Sequence, residues 1–291
     1  MRQITVLACL LVLSVPRMAL AGEADRSTAE RDIMYSGAGG ERTRLDVYAP
    51  GEGENHPVVV WLHGGAWKLG DKALVGEKPR AFNERGYVFV AVNYRLHPAA
   101  SYREQAEDVA RAIRWVRDHV KEHGGDPSRI SLGGHSAGAH LAALVGTDGR
   151  YLEKAGLSLA DLSGVVLLDG AAYDVHRQIE HARLPAARRI FADVFTEDEA
   201  TQKDASPVSH IAGGKGIPPF LILHVASRPD AREQSNALAA KLREAGGEAR
   251  VVVAAGKTHR TINRDLGESE DAPTRAVFAF LQERFAKNGP K

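Results

Sequence analysis

One serine of the chain lies in a pattern that is typical of nucleophilic catalysis. Ser136 is the central residue of the motif Gly134-His135-Ser136-Ala137-Gly138, which follows a candidate strand near residues 130–132 and precedes a run of small residues, 137–145. A sharp turn between a strand and a helix would expose the serine hydroxyl, and glycines beside it lack the β-carbons that would clash there. We therefore predict that Ser136 attacks a substrate carbonyl and forms a covalent acyl intermediate.

Two segments are expected to supply the backbone amides of an oxyanion hole, which must point at the negative charge that develops on the substrate oxygen. One is Ala137, the residue after the serine. The other is the motif His63-Gly64-Gly65-Ala66-Trp67, which follows the apolar run 58–62 and in which we expect Gly65 and Ala66 to donate. Trp67 and His135 are the candidate substrate-binding side chains. A packing role fits Trp67 equally well.

A carboxylate and then a histidine should follow the serine along the chain. His259 lies in the loop after the apolar run 251–255, where an imidazole can reach Ser136, and it is the predicted base. Asp230 is the only carboxylate between the strand predicted near 220–223 and the next helix, so it is the predicted acid. Its position also suits a helix N-cap, which leaves Asp204 and Asp265 as alternative acids.

Short apolar runs alternate with amphipathic segments along most of the chain. The runs predict strands near residues 58–62, 88–92, 130–132, 165–168, 220–223 and 250–253, and helical patterns cover 102–123, 231–245 and 272–285. Several runs lack the polar alternation of a half-exposed strand, which indicates burial on both faces. We expect an α/β fold with a mostly parallel sheet and helices on both sides. Residues 170–219 interrupt this pattern and form either a lid or a surface insertion.

The composition and the N-terminus restrict the cellular role. A net charge of +1, with 44% hydrophobic and 26% charged residues, argues against a surface for nucleic acid or another polyanion. Arg2, the apolar residues 4–15 and Ala19-Leu20-Ala21 are typical of a cleavable signal peptide. We expect residues 1–21 to be removed, leaving one secreted or periplasmic domain, 22–291. The single cysteine, Cys9, lies in the predicted leader, so no disulfide is expected.

These motifs resemble the esterase and lipase branch of the α/β-hydrolases that carries His-Gly-Gly-x-Trp. That branch includes bacterial feruloyl-esterase-like enzymes and arylformamidases (kynurenine formamidases). Further matching segments are Leu45-Asp46-Val47-Tyr48-Ala49-Pro50, Asn93-Tyr94-Arg95-Leu96 and Gly125-Asp126-Pro127-Ser128-Arg129-Ile130. The resemblance covers the chain from about residue 33 onward and implies the α/β-hydrolase fold with a small lid insertion. One departure is that Val225 replaces the glycine of a His-Gly pair, and Asp230 lies two positions beyond the usual acid.

The resemblance implies a serine esterase acting on small-molecule carboxylic esters, since an alkoxide leaves more readily than an amine. Such chemistry needs no cofactor, and the sequence contains no His-x-x-Glu-His spacing for a metal. An arylformamidase-like amide hydrolase is the alternative activity, and a binding protein without turnover is a third hypothesis. No stable membrane insertion of the mature chain is expected, and the sequence gives no indication of an oligomeric state.

Overall fold

The computed structural model describes residues 27–182 and 185–287. The predicted signal peptide, residues 1–21, lies outside the described residues, as does Cys9.

Within the described residues, eight strands form one sheet. They are β1 (Thr28–Met34), β2 (Arg44–Ala49), β3 (His56–Leu62), β4 (Val88–Val92), β5 (Gly125–His135), β6 (Leu162–Leu168), β7 (Phe220–Val225) and β8 (Ala249–Ala254). Their order across the sheet is β1-β2-β4-β3-β5-β6-β7-β8. The pairs β1–β2 and β2–β4 are antiparallel, and the remaining pairs are parallel. The prediction of a mostly parallel sheet is therefore correct.

Helices cover both faces of this sheet. They are α1 (Lys78–Asn83), α2 (Tyr102–His119), α3 (Ala137–Thr147), α4 (Gly149–Lys154), α5 (Val175–Glu180), α6 (Pro185–Phe195), α7 (Glu199–Asp204), α8 (Pro229–Glu244), α9 (Thr261–Arg264) and α10 (Ala272–Lys287). Apolar side chains of α2, α3 and α8 pack on one face, and those of α1 and α10 pack on the other. Alternate residues of one strand belong to different faces, as Val60 and Trp61 of β3 do. Both faces are buried, which explains the continuous apolar runs in the sequence.

The two strands that the apolar runs did not predict, β1 and β2, lie at one end of the sheet. β2 contains Asp46, whose polarity hides the strand pattern although the residue is only 1% exposed. Lys72 compensates for the buried carboxylate, with its Nζ 2.6 Å from Asp46 Oδ1. A buried ion pair thus gives a core strand the composition of a surface segment.

The predicted helix over residues 102–123 forms with a small change at its end. It begins at a capping box, in which the Ser101 side chain accepts from the amide of Glu104 and the Glu104 carboxylate accepts from the amide of Ser101. After His119 the last turn tightens into a 3-10 helix that ends at Gly124, whose φ of 73° is left-handed. Gly124, which directly follows the predicted range, therefore terminates the helix.

The segment over residues 170–219 leaves the sheet after β6 and returns at β7. Its helices α5, α6 and α7 lie beside the carboxyl ends of the strands, and Pro185 is the first residue of α6. Phe191 and Phe195 of α6 pack edge-on against Trp67, with ring centroids 5.9 and 4.8 Å away. The segment thus covers the residues that follow β3. That it moves as a lid remains a prediction.

Candidate active site

Ser136 occupies the turn between β5 and α3. Its φ of 55° and ψ of −118° are unfavourable for a residue with a side chain, which is the kind of strain that functional turns retain. Neighbouring glycines make the turn sterically feasible, because a β-carbon on Gly134 would lie 2.6 Å from the backbone of Gly138. One on Gly138 would collide with the carbonyl oxygens of Leu62 and His63. The local sequence therefore fits a serine held at a sharp turn.

His259 comes to Ser136 from the loop after β8. Its Nε2 lies 3.0 Å from Ser136 Oγ, although 123 residues separate the two in sequence. The carbonyl of His259 accepts a hydrogen bond from His135 Nε2 at 2.8 Å. Lys257, two residues earlier, pairs with Asp265 and Asp271 and fixes the same loop. The structure thus brings the predicted nucleophile and the predicted base within hydrogen-bonding distance.

The carboxylate that contacts His259 is Asp169, at the carboxyl end of β6. Its Oδ2 lies 2.6 Å from His259 Nδ1, and its Oδ1 accepts from the amide of Val225 at 2.9 Å. At this distance an unprotonated Nδ1 would repel the carboxylate, so the proton belongs on Nδ1. This tautomer leaves the lone pair of Nε2 free to accept the proton of the Ser136 hydroxyl.

Asp169 is fully buried yet remains an anion. Burial alone would raise the pKa of its carboxyl, but the hydrogen bond from His259 and the charge of Arg228 act in the opposite direction. The amide of Val225 adds a further hydrogen bond to the charged form. The net effect is a pKa of Asp169 below its ordinary value. A permanently charged carboxylate suits a group that must stabilise an imidazolium.

The prediction that Asp230 is the acid is wrong, because Asp230 lies against Arg228 and Asp169 lies against His259. Asp230 lies in the first turn of α8, where its Oδ2 is 3.1 Å from Arg228 Nη2 and its side chain is 45% exposed. The usual acid position, two residues earlier, holds Arg228, whose charge excludes that role. The prediction assumes that the acid follows β7. Asp169 directly follows the apolar run 165–168, and this position at the end of a strand is visible in the sequence.

The alternative acids lie elsewhere. Asp204 accepts from Tyr102 and pairs with Arg103 and Arg150. Asp265 pairs with Lys257 and Arg264. Asp204 therefore joins the end of α7 to α2 and α4, whereas Asp265 pairs within its own loop.

His135 has a different position from the one predicted for a substrate-binding residue. Its ring lies 4.6 Å from that of His259 and is buried beneath it, with Nε2 donating to the His259 carbonyl. Burial, followed by the charge of His259, lowers the pKa of His135 to about 3. A neutral His135 therefore packs against the base and holds its backbone. The sequence motif instead predicts that this side chain contacts the substrate.

Trp67 combines the two roles that its sequence position suggested. The side chain is 4% exposed, and its Nε1 donates to His140 Nδ1 at 3.2 Å. His140 in turn donates from Nε2 to the carbonyl of Ala205 at 2.9 Å. Trp67 also lines the cavity in front of Ser136. The Trp67 side chain is thus held by packing and also contributes to the lining of that cavity.

Two of the three residues predicted to form the oxyanion hole lie beside the serine. Ala66 and Ala137 line the same cavity as Ser136. Gly65 forms the turn before Ala66, with a φ of 131°, and its carbonyl accepts from Lys68 at 3.0 Å and Leu69 at 2.9 Å. A β-carbon on Gly65 would collide with the carbonyl of Leu69. Glycine is therefore required there to shape the loop that presents Ala66.

The cavity in front of Ser136 has a volume of about 700 Å³ and a mixed lining. Its apolar side chains include those of Ala66, Trp67, Ala171, Ile190 and Phe191. Its polar side chains include those of Arg177, Gln178, His181, Arg228, Asp230, Glu233 and Gln234. Two ion pairs lie in this lining, Arg177 with Glu233 and Arg228 with Asp230. A cavity of this size and lining holds a small organic molecule with apolar and polar parts.

Within residues 27–182 and 185–287, His, Cys, Asp and Glu side chains form no group of three that could hold a metal ion. In the same residues, none of the helices has the length and apolar character needed to cross a bilayer.

Comparison with known proteins assigns the family. The BD-FAE family model matches residues 45–242, which include the serine turn, the Gly64-Gly65 loop and Asp169. The chain belongs to the BD-FAE family. The resemblance to α/β-hydrolase esterases seen in the sequence is thereby confirmed.

Relatives of this BD-FAE chain are named as esterases. It is 30% identical over 254 residues to the esterase LipQ of Mycobacterium tuberculosis, covering 81% of this chain and 57% of LipQ. It is also 30% identical over 250 residues to the probable isoprenylcysteine alpha-carbonyl methylesterase ICMEL1 of Arabidopsis thaliana, with coverages of 79% and 50%. The chain thus spans about half the length of these curated relatives.

Solved structures share the fold of this BD-FAE chain. An inhibited esterase B from Lactobacillus rhamnosis superposes with a TM-score of 0.75 at 21% identity, covering 91% of both chains. The butyrate-bound structure of the esterase Est2 from Thermogutta terrifontis gives 0.69 at 25% identity, covering 90% of this chain and 96% of that one. These similarities confirm the α/β-hydrolase fold.

Proposed function

We propose that this BD-FAE protein hydrolyses carboxylic esters through an acyl-enzyme on Ser136. One observation carries the proposal: Ser136 Oγ, His259 and Asp169 form a continuous chain of contacts of 3.0 and 2.6 Å that opens into a cavity. The esterase names of LipQ and of the solved neighbours agree with it.

In the first half of the reaction, His259 Nε2 takes the proton of the Ser136 hydroxyl as Oγ bonds to the ester carbonyl carbon. The tetrahedral intermediate collapses when its carbon–oxygen bond to the alcohol breaks and His259 protonates the leaving oxygen. In the second half, His259 takes a proton from water, whose oxygen attacks the acyl-enzyme. The acid product leaves as the proton returns to Oγ. Asp169 stays ionised throughout and stabilises the imidazolium.

The amides of Ala66 and Ala137 are the donors that we propose for the substrate oxyanion. Ala137 is the first residue of α3, and amides in the first turn of a helix have no partner within that helix. The positive end of the helix dipole at Ser136 favours the same negative charge. Ala66 has a positive φ of 51°, which only a constrained loop maintains in a residue with a side chain.

The mixed lining of the cavity supports an ester with one apolar and one polar part. Trp67 and Phe191 belong to this lining, and an aromatic or short aliphatic group fits against such rings. The amides and paired charges of the lining suit the polar part. We propose small amphiphilic esters as the substrate class.

A panel of substrates tests this function. We expect turnover of p-nitrophenyl esters of graded chain length and of a feruloyl ester, and covalent labelling of Ser136 by a fluorophosphonate. Ser136→Ala is the control and should abolish both signals. Selective turnover of N-formylkynurenine would instead indicate the arylformamidase-like activity. A folded protein whose Ser136 reacts with no phosphonate would point to a binding protein without turnover.

We also propose that the protein is exported, with cleavage after Ala21. The support is the sequence alone: a basic residue, an apolar run and a small-x-small site within residues 1–21. Expression of the full chain in a bacterial host, followed by N-terminal sequencing of the periplasmic fraction, tests this proposal. We expect the mature protein to begin at Gly22. An intact N-terminus on protein found only in the cytosol would refute it.

A further inference from the structure

Arg228 lies against both members of the acid–base pair. Its Nη1 is 2.9 Å from Asp169 Oδ2 and 3.1 Å from the Asp169 carbonyl oxygen. The same nitrogen lies 2.9 Å from His259 Nδ1. Its Nη2 is 3.1 Å from Asp230 Oδ2, and 26% of the side chain is exposed to the cavity. This arginine is therefore not a surface charge that happens to lie near the site.

The protons of Arg228 can be assigned from these distances. Nη1 carries two hydrogens. The carboxylate oxygen Oδ2 of Asp169 accepts one of them, and the backbone carbonyl oxygen of Asp169 accepts the other. The short Asp169–His259 contact requires a proton on Nδ1 as well. Arg228 and His259 Nδ1 are therefore neighbours that share an acceptor, and no hydrogen bond joins them. Two consequences follow, because the guanidinium fixes the carboxylate and also places a permanent positive charge beside the imidazole.

Resting on the proposed ester hydrolysis, we propose that Arg228 is a positioning residue that orients Asp169 and keeps His259 neutral, and thus able to act as a base, at lower pH. A fixed cation beside an imidazole disfavours its protonated form. The Asp169 carboxylate has the opposite effect on the imidazolium. Arg228 weakens that effect without removing the carboxylate that the reaction needs.

Other polar groups also lie around His259 and Arg228. His135, at the end of β5, faces the imidazole from below and is kept neutral by burial. Ser136 faces Nε2, and Asp169 faces Nδ1 from the end of β6. Asp230, in the first turn of α8, partly neutralises Arg228 from the side away from the imidazole. Among these groups Arg228 is the permanent cation. Its removal should therefore move the acid limb of the pH profile in one direction, towards higher pH.

The test is the pH dependence of kcat/KM for a p-nitrophenyl ester in wild type, Arg228→Gln and Arg228→Lys. In Arg228→Gln we expect the acid limb to move to higher pH by about one unit, the size of shift that one adjacent charge produces. Activity at acidic pH should fall about tenfold more than activity on the alkaline plateau. Arg228→Lys retains the charge and should recover most of the shift. An acid limb that stays in place or moves to lower pH in Arg228→Gln overturns the proposal.

Two controls separate charge from packing. Arg177→Gln removes an arginine that pairs with Glu233 in the same cavity, and its acid limb should stay at the wild-type position whatever its KM. Asp230→Asn leaves Arg228 in place but removes its counter-charge, so its acid limb should move to lower pH. If Arg228→Gln does not fold, Asp230→Asn and Arg228→Lys decide the question. An Asp230→Asn limb that does not move, or moves to higher pH, then refutes it.

A second readout does not depend on ester turnover. NMR titration of the His259 ring protons in Ser136→Ala, with and without Arg228→Gln, should show the midpoint at higher pH when the arginine is absent. A protein that shows this shift but hydrolyses no ester would contradict the proposed function and leave the role of Arg228 standing. An active esterase without the shift would support the proposed function and contradict the role of Arg228.

Discussion

Asp169 Oδ2 lies 2.6 Å from His259 Nδ1, although 90 residues separate the two in sequence. The sheet makes this contact possible, because β6 lies between β5, which ends before Ser136, and β7. The carboxyl ends of these parallel strands meet at one edge of the sheet. His259 comes from the loop after β8 at the same edge. The acid therefore belongs to the strand adjacent to that of the nucleophile.

Replacing Asp169 by asparagine should nearly abolish ester hydrolysis. The amide cannot accept the Nδ1 proton as a carboxylate does, so His259 loses both its tautomer and the stabilisation of its imidazolium. We expect kcat to fall by about three to four orders of magnitude, as in other triads that lose their acid in this way. Steady-state kinetics at the alkaline plateau measure the effect.

Asp230→Asn is the matched control for that substitution. It changes the same functional group in the same cavity, but Asp230 contacts Arg228 rather than His259. Its plateau kcat should stay within about tenfold of wild type, well above that of Asp169→Asn. The reverse order of damage would return the acid role to Asp230.

Ser136 and His259 should act as one unit. Ser136→Ala and His259→Ala should each lower kcat by several orders of magnitude, since each breaks the same proton transfer. The double variant should be little worse than either single variant, because the second substitution removes a function that is already lost. Single-turnover kinetics with a p-nitrophenyl ester measure the three rates. Fully additive losses would show that the two side chains work independently.

Trp67 should matter for stability as well as for the cavity. Trp67→Ala removes ring contacts to Phe191 and Phe195 and leaves buried His140 without its donor. Truncation of a buried aromatic residue costs about 3–5 kcal/mol of the free energy of unfolding, to be measured by chemical denaturation. Trp115→Ala, at a half-buried site on α2, is the control and should cost less. Equal losses would argue that Trp67 is not a packing residue.

Buried neutral histidines should make the protein less stable in mild acid. Burial lowers the pKa of His140 to about 4 from its ordinary 6.5. Between these values the unfolded chain binds a proton that the native state does not, so the contribution is complete above pH 6.5 and is lost as the pH falls towards 4. At pH 5 this lowers the free energy of unfolding by about 2 kcal/mol.

Denaturant unfolding at pH 7.5 and pH 5 measures that effect. His140→Gln should show a smaller decrease between the two pH values than wild type, whatever its absolute stability. His119→Gln replaces a histidine whose side chain is 46% exposed and should leave the decrease unchanged. If His140→Gln and wild type lose equal stability, His140 is not the neutral buried group described above.

The sequence predicted the parts of the site that depend on local geometry. The turn at Ser136 and the loop at Gly64-Gly65 require particular residues at adjacent positions, so their patterns are visible in the chain. The choice between Asp169 and Asp230 depends on which strand end lies closer to His259 in the folded sheet, and local sequence does not encode that distance. The burial of His135 beneath His259 and the ion pair inside β2 were missed for the same reason.

The relocation of the acid to β6 has a consequence for how this protein can diverge. Asp230, Glu233 and Gln234, in the first turns of α8, line the cavity but do not hold the carboxylate that serves His259. Substitutions at Glu233 and Gln234 change the shape and polarity of the cavity while Asp169 keeps its contact with His259. The substrate preference of the proposed hydrolysis can therefore change while the side chains that carry it out stay in place.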